Sequence, residues 1–331
     1  MAYVNEAETQ KDLNENEKRL IWLDIAKGLA IILVIIGHTL KFGTYPRNII
    51  FSFHMPLFFI LTGFTIKIPV NKIQWYSFIK KDFIRIVLPY LGVAFFDCLV
   101  RYLLYHNASL LDSLLTCGQA VFWGSGVVHN SHPTIRALWF LIVLFWSKQI
   151  YRVIESIFRK TNNIVIYVMI VTVFVFKLKY LPQSIDIALL AVFYLHFGRI
   201  LRENFECFTN YSAIICCVGG VFWGLCLQNN IYIEMANRKY PHFWISIIEA
   251  VVASLCIINL SSIIERFKKW TYFLQWAGIN SLYFLCVHYL DWAFVKVWLH
   301  KSLAVSCISR SACVFLLVYV LLFLKGKIRR N

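Results

Sequence analysis

Residues 19–38 read RLIWLDIAKGLAIILVIIGH, and this stretch decides how the rest of the chain is interpreted. Its length and apolar composition are typical of a membrane-spanning helix, which needs about 20 mainly apolar residues. Three ionisable side chains interrupt it: Asp24, Lys27 and His38. Charge at the centre of a spanning helix costs roughly 2.5–3.5 kcal/mol on insertion scales, so these residues are candidates for function. Lys27 and His38 share one helical face, roughly 16 Å apart along the axis.

The composition indicates a membrane protein. Of the 331 residues, 60% are hydrophobic, 17% aromatic and 15% charged, whereas a soluble domain has about 45–50% apolar and about 25% charged residues. The net charge of +16 would suit a nucleic-acid-binding protein, but the Lys and Arg residues form short clusters between apolar runs. Such clusters orient the spans of a membrane protein. We therefore expect contact with the lipid bilayer and no nucleic-acid partner.

Ten apolar stretches are long enough, or nearly so, to span a bilayer. They lie at about 20–40, 49–67, 86–105, 137–154, 163–180, 185–201, 211–228, 243–264, 279–298 and 304–324. With the N-terminus inside, most of the 33 basic residues fall on the cytoplasmic side, which the positive-inside rule favours. The predicted fold is an all-α polytopic bundle of about ten transmembrane helices, with both termini inside. Its predicted parts are a disordered cytoplasmic tail (1–18), a transmembrane domain (19–324) and a basic cytoplasmic tail (325–331).

Two histidines are candidates for the chemistry. His38 follows Gly37 and shares a helical face with Lys27, and Asp24 lies one turn before Lys27, where it can pair with it. Imidazole works as a general base near neutral pH, so His38 is a candidate catalytic residue; a packed core histidine is the alternative. His54 lies near the outer end of the second predicted span. It either faces the same cavity as His38 or hydrogen-bonds the helix end.

Two further pairs of polar residues have helical spacing. Lys81 and Arg85 are four residues apart on one face, so they are placed to bind a phosphorylated ligand at the cytoplasmic surface. The alternative is that these basic residues serve only to orient the adjoining span in the membrane. His288 and Asp291 are three residues apart and can hydrogen-bond. For His288 and the nearby Asn280, a structural contact between helices is the alternative to a role in the site.

Several enzyme classes lack their signatures in this chain. The sequence contains no GxxxxGK[ST] phosphate loop, no HExxH zinc helix and no GxSxG nucleophile elbow. The ten cysteines fall mostly inside apolar runs, without the spacing of a metal site or a disulfide framework. We therefore predict no bound metal.

With these residues assembled, the chain resembles the integral membrane acyltransferases of acyltransferase family three. The first matching segments, in the family's order, are LDIAKG at 23–28, which leads to Gly37-His38, and FHMPLFF at 53–59, which runs to Thr62-Gly63-Phe64. The basic segment from Lys81 to Arg85 before Pro89-Tyr90 follows. The last two are LWFL at 138–141 and GINSLY at 278–283, the latter ending at His288. They cover the chain from about 19 to 324. Lys27 stands where the family frequently has Arg, and Thr62 where Ser is common.

The resemblance implies a multi-pass protein of the cell (plasma or inner) membrane that transfers an acyl group, usually acetyl, to a sugar hydroxyl. The donor would be cytoplasmic acetyl-CoA, a substrate rather than a bound cofactor, and the acceptor an extracytoplasmic glycan of the surface polysaccharide kind. It implies catalytic roles for His38, Lys27 and Asp24. Substrate binding is assigned to His54, Lys81, Arg85, Trp139, Asn280 and His288.

Two alternatives stay open at this point. His38 acts either as a general base or through an acyl-histidine intermediate, since both are chemically available to imidazole. The rival function is that of a membrane transporter or ligand-binding module without acyl-transfer chemistry. Association of the chain with further copies of itself is also left open by the sequence.

Overall fold

The structure is a computed structural model that describes residues 20–105, 109–158, 163, 166 and 180–328. It is 83% helical and has no β-strand among these residues, so the predicted all-α fold is confirmed. The predicted tail over 1–18 lies outside the described residues, as do nearly all of the predicted fifth span and the last three residues of the basic tail.

The described helices are numbered here in chain order. They are α1 (Ile21–Gly37), α2 (Tyr45–Thr65), α3 (Lys72–Asp82), α4 (Leu88–Tyr105), α5 (Leu110–Trp123), α6 (Trp139–Ile157), α7 (Ile185–Glu203), α8 (Phe205–Gln228), α9 (Phe243–Glu265), α10 (Lys268–Ile279), α11 (Ser281–Leu290), the single turn α12 (Val295–Trp298) and α13 (Leu303–Ile328). A π-helical turn over Phe83–Val87 joins α3 to α4, and 3₁₀ turns over Arg136–Leu138 and Asp291–Phe294 precede α6 and α12.

Seven of the described helical segments are long and apolar enough to cross a membrane. They are Tyr45–Thr65, Lys72–Leu104, Arg136–Ile157, Pro182–Glu203, Phe205–Gln228, Phe243–Glu265 and Leu303–Lys327. The segment containing α2 is 83% buried, whereas those containing α8 and α13 are each only 17% buried. α2 therefore lies inside the bundle, and the apolar side chains of α8 and α13 face outwards as they would towards lipid. The count of ten spans and the orientation of the termini stay predictions.

The ninth predicted span differs from the structure. Instead of one helix over 279–298, α10 ends at Ile279 with Asn280 as its C-cap, and α11 ends at Leu290, where the chain enters a 3₁₀ turn. The Asn280 carboxamide donates a hydrogen bond to the Trp276 carbonyl at 2.8 Å, and its backbone leaves helical geometry (φ −102°, ψ 16°). A side chain that bonds nearby backbone competes with helix continuation, which accounts for the break.

The segment between the third and fourth predicted spans also contains structure of its own. Residues 110–123 form α5, and Ser109 is its N-cap: the Ser109 side-chain oxygen accepts a hydrogen bond from the Asp112 backbone N–H at 3.0 Å. This is a standard N-cap arrangement. α5 packs against α4, and together they enclose a cavity described below.

Glycine allows α1 to pack closely against α10. A Cβ on Gly28 would lie 1.9 Å from the Leu274 carbonyl oxygen, and one on Gly278 would lie 1.8 Å from the Asp24 carbonyl oxygen. No other residue fits at either position without separating the helices. Close approach through small residues is a usual means of helix association in lipid, where apolar burial supplies little driving force.

The same arrangement joins α2 to α7. A Cβ on Gly63 would lie 1.9 Å from the Leu195 carbonyl oxygen, and one on Gly198 would lie 2.0 Å from the Ile60 carbonyl oxygen. The two helices that carry the candidate histidines, α1 and α2, are thus each held by a partner at backbone contact. The positions of His38 and His54 are set by these two close helix pairs.

Candidate active site

His38 lies one residue beyond the end of α1 and is exposed. Its ring lines a cavity of about 320 Å³, here called the histidine cavity, whose wall includes His38, Arg136, His288, Asp291, Trp298 and Arg310. Gly37 permits this position, because a Cβ there would lie 2.9 Å from the ring of Phe51. His38 is therefore available to a ligand rather than packed in the core.

His288 lies beside His38 in the histidine cavity and is buried. The ring centroids are 5.0 Å apart, with an interplanar angle of 41°. His288 Nδ1 lies 2.9 Å from Asp291 Oδ2, as the spacing of three residues predicted. A neutral ring that donates through Nδ1–H keeps Nε2 as an acceptor, so this contact selects the tautomer of His288.

Arg310 of α13 anchors Asp291 in turn. Its Nε and Nη2 donate to the two carboxylate oxygens of Asp291 at 2.7 and 2.9 Å, and its Nη1 donates to Thr39 Oγ1 at 3.2 Å. Trp298 covers the guanidinium at 4.4 Å from its ring centroid. A bidentate pair fixes both partners in orientation, so Arg310 positions His288 through Asp291. The sequence reasoning missed Arg310, although an arginine inside an apolar stretch was an available signal.

His54 and Trp139 line a second, small cavity of about 40 Å³ that His38 also faces. His54 Nδ1 donates to the Ile50 carbonyl oxygen at 2.8 Å, a bond inside α2 rather than at its end, and His54 lines a cavity together with His38. The Phe51 ring contacts both imidazoles, with centroids 5.2 Å from His38 and 4.7 Å from His54. His54 and Trp139 thus lie on one side of His38, and His288 lies in the cavity on the other.

A separate cavity of about 300 Å³, the basic cavity, brings together Lys81 and Arg85 with Lys67, Lys148 and Arg152. The π-helical turn Phe83–Val87 carries Arg85, and such turns occur frequently at functional sites. Lys148 and Arg152 belong to α6, more than 60 residues further along the chain than Lys81 and Arg85. The structure therefore gathers more positive charge around Lys81 and Arg85 than the sequence predicted.

Asp82 is the acidic residue in the wall of the basic cavity. It accepts from Lys148, from Arg152 Nη1 at 2.5 Å and from Gln149 Nε2 at 3.1 Å. One carboxylate against five basic side chains leaves the wall strongly cationic. Such a cavity is suited to anions with several oxygen atoms, above all phosphate groups.

The two ends of the site are linked by α2. His54 lines the small cavity beside His38, and Thr62 lines the basic cavity. The two residues are eight positions apart, which corresponds to roughly 12 Å along the helix. The protein can therefore bind an anionic group of a ligand in the basic cavity while another part of the same ligand contacts the imidazoles of the histidine cavity. A ligand that reaches both cavities must be long.

Three predicted site residues lie elsewhere. Asp24 is buried and Lys27 half-buried in α1, with Lys27 roughly 16 Å below His38 along the axis. Neither is among the described residues that line the three cavities above. Asn280 forms the break between α10 and α11 and is likewise outside these walls.

Comparison with known proteins supplies the identity. The model of the acyltransferase 3 family, described as an acyltransferase domain, matches residues 20–325. Searches of curated proteins and of solved structures returned no significant match. The family match covers nearly the whole chain, including every residue of the cavities described above. This chain is a membrane protein of the acyltransferase 3 family.

Proposed function

We propose that this protein is an integral membrane O-acyltransferase of the plasma or inner membrane. It transfers acetyl from cytoplasmic acetyl-CoA to a hydroxyl of an extracytoplasmic sugar in a surface polysaccharide. The observation that carries the proposal is the exposed imidazole of His38 on the wall of a 320 Å³ cavity, 5.0 Å from the anchored ring of His288. Membership of the family supports acyl transfer, and the cavities support the choice of donor and acceptor.

The basic cavity is the proposed site for the phosphate groups of the donor. Lys81, Arg85 and the basic residues of α6 provide charge-assisted hydrogen bonds to phosphate oxygens. The flexible pantetheine arm of acetyl-CoA would then extend along α1 and α2 and bring the thioester towards His38. Lys27 is proposed to contact this arm or its phosphates, with Asp24 as its partner. In the predicted topology, acetyl-CoA in the basic cavity and the acceptor sugar at His38 would therefore approach from opposite faces of the membrane.

The proposed reaction is direct transfer with His38 as the base. His38 takes the proton of the sugar hydroxyl while the hydroxyl oxygen attacks the thioester carbonyl, and a new C–O bond forms. The C–S bond of the tetrahedral intermediate then breaks. The departing thiolate receives the proton from His38, so the products are the acetylated sugar and the free thiol of CoA. His288, held by Asp291, provides a second polar contact at the reacting group.

The covalent alternative makes a distinct prediction. If the imidazole of His38 attacked the thioester itself, the protein would carry an acetyl group in the absence of acceptor. Acid-quenched protein incubated with acetyl-CoA alone would then show an added acetyl group at His38 by mass spectrometry. In direct transfer the same sample stays unmodified.

The test of the function is acetyl transfer by a His38→Ala variant. Labelled acetyl-CoA is supplied to membranes together with surface polysaccharide from a strain of the source organism that lacks this protein. We expect transfer by the wild type and by His300→Ala, an exposed histidine outside the cavities, and loss of transfer in His38→Ala. Unchanged transfer by His38→Ala would remove the catalytic assignment. Substrate counterflow by purified protein without CoA release would instead support a transporter.

A further inference from the structure

We infer that a cavity between α4 and α5 is a carbohydrate-binding subsite for the acceptor, and that Arg136 holds the acceptor against His38. The inference rests on the proposed function and goes beyond it by assigning the acceptor a place. The cavity has a volume of about 530 Å³ and lies between α4 and α5. It is called here the α4–α5 cavity, and its wall includes Asp97, Arg101, Tyr102, Thr116, Arg136 and Tyr289.

The α4–α5 cavity adjoins the histidine cavity. Arg136 and Tyr289 line both, so a ligand in the first that extends past these two side chains reaches His38 in the second. A volume of 530 Å³ is within the usual range of about 300–1,000 Å³ for ligand sites. The two cavities together provide an elongated space, which suits a chain of sugar residues better than a single small molecule.

The polar groups of the α4–α5 cavity are held in fixed positions. Asp97 is buried and accepts from Tyr289 OH at 3.0 Å, Trp292 Nε1 at 2.6 Å and Arg101 Nε at 2.9 Å. The wall thus combines a buried carboxylate, guanidinium groups, hydroxyls and the rings of two tyrosines. Sugar hydroxyls need donors and acceptors together, and the apolar faces of sugar rings pack on aromatic side chains, so carbohydrate is the ligand class that this mixture fits.

Arg136 has the features of a residue retained for binding. Its backbone has a φ of +44°, a conformation that costs a non-glycine residue energy and that the surrounding structure must hold in place. Its Nη2 lies 3.5 Å from Asp97, which already accepts three shorter hydrogen bonds, and 42% of its side chain is exposed. A guanidinium has five N–H donors, so Arg136 retains donors for a ligand at the junction of the two cavities.

Thr116→Trp tests the subsite, since Thr116 is exposed on α5 and its side chain lines the α4–α5 cavity. The larger ring fills the cavity without entering the core. Its matched control is Leu115→Trp on the same helix, at a position that is 56% exposed and does not line the cavity. Arg136→Gln is the second variant. Initial rates of labelled acetyl transfer to the polysaccharide described above are measured while acceptor and acetyl-CoA are varied separately.

We expect Thr116→Trp and Arg136→Gln each to raise the KM for polysaccharide by about tenfold or more, which corresponds to about 1.4 kcal/mol of binding. The KM for acetyl-CoA stays at the wild-type value, which also shows that the variants are folded. Leu115→Trp changes neither constant. Wild-type values of the acceptor KM in both variants would overturn the subsite while leaving the function intact. No transfer by the wild type itself would overturn the function and the subsite together.

Discussion

The imidazole rings of His38 and His288 lie 5.0 Å apart between centroids, although His38 directly follows the first described helix and His288 belongs to the eleventh. The two rings differ in environment. His38 is exposed to the cavity, and His288 is buried and bonded to Asp291. In this arrangement His38 can exchange a proton with a ligand while His288, held by Asp291, contacts the reacting group.

Replacing His288 by Gln should show that this residue acts in the transfer step and not in the binding of acetyl-CoA. We expect kcat for acetyl transfer to fall by about a hundredfold, the lower end of the loss found when one preorganised hydrogen-bonding group is removed from an active site. The KM for acetyl-CoA should be unchanged, because the basic cavity is at the other end of α2. Steady-state kinetics on membranes give both constants. A kcat within threefold of that of the control His300→Gln, or an equal change in both constants, would contradict this role.

Breaking the pair between Asp291 and Arg310 should destabilise the protein. Both side chains are buried, and removing one partner of a buried pair costs about 3–5 kcal/mol because the other charge is left uncompensated. We expect Arg310→Met to lower the melting temperature of the detergent-purified protein, and the double variant Asp291→Asn with Arg310→Met to recover part of the loss. A double variant less stable than Arg310→Met alone would argue against a paired role.

Removing a positive charge from the basic cavity should weaken the binding of acetyl-CoA but not that of the polysaccharide. Charge-assisted hydrogen bonds are each worth about 1.5–3 kcal/mol, so Lys81→Ala or Arg85→Ala should raise the KM for acetyl-CoA by about tenfold to a hundredfold. The KM for polysaccharide should be unaffected. Lys72→Ala is the matched control, since Lys72 is exposed on the same α3 segment and does not line the cavity. An equal effect in the Lys72 variant would indicate a general surface-charge effect instead.

Adding a methyl group at Gly278 should disturb the position of α1. A Cβ there would lie 1.8 Å from the Asp24 carbonyl oxygen, so α1 and α10 must separate. Overpacking of this kind costs about 1–3 kcal/mol, and the displaced α1 should also misplace His38. We expect Gly278→Ala to lower both the melting temperature and kcat. Gly220→Ala, at a position on α8 where the added carbon would meet no atom of a neighbouring helix within 4 Å, should change neither.

Several features of the site were predictable because they are local. Spacing along the chain predicted that Lys81 and Arg85 lie close together and that His288 can bond Asp291. In the structure Lys81 and Arg85 line one cavity, and the bond between His288 and Asp291 is present. The break at Asn280 is local too, yet it was missed. Composition favoured a continuous span there, and the hydrogen bond of the Asn280 side chain to Trp276 prevailed.

The sequence by itself determined that this chain is an all-α membrane protein and which family it resembles, and it singled out His38 as a candidate for catalysis, because apolar length and helical periodicity are local properties. Only the tertiary structure decided that Arg310 anchors Asp291, that α6 adds Lys148 and Arg152 to the basic cavity, and that Arg136 joins two cavities. In lipid, helices associate through close packing at glycines and through buried polar pairs. Those contacts join distant parts of the chain, so no single stretch of sequence specifies them.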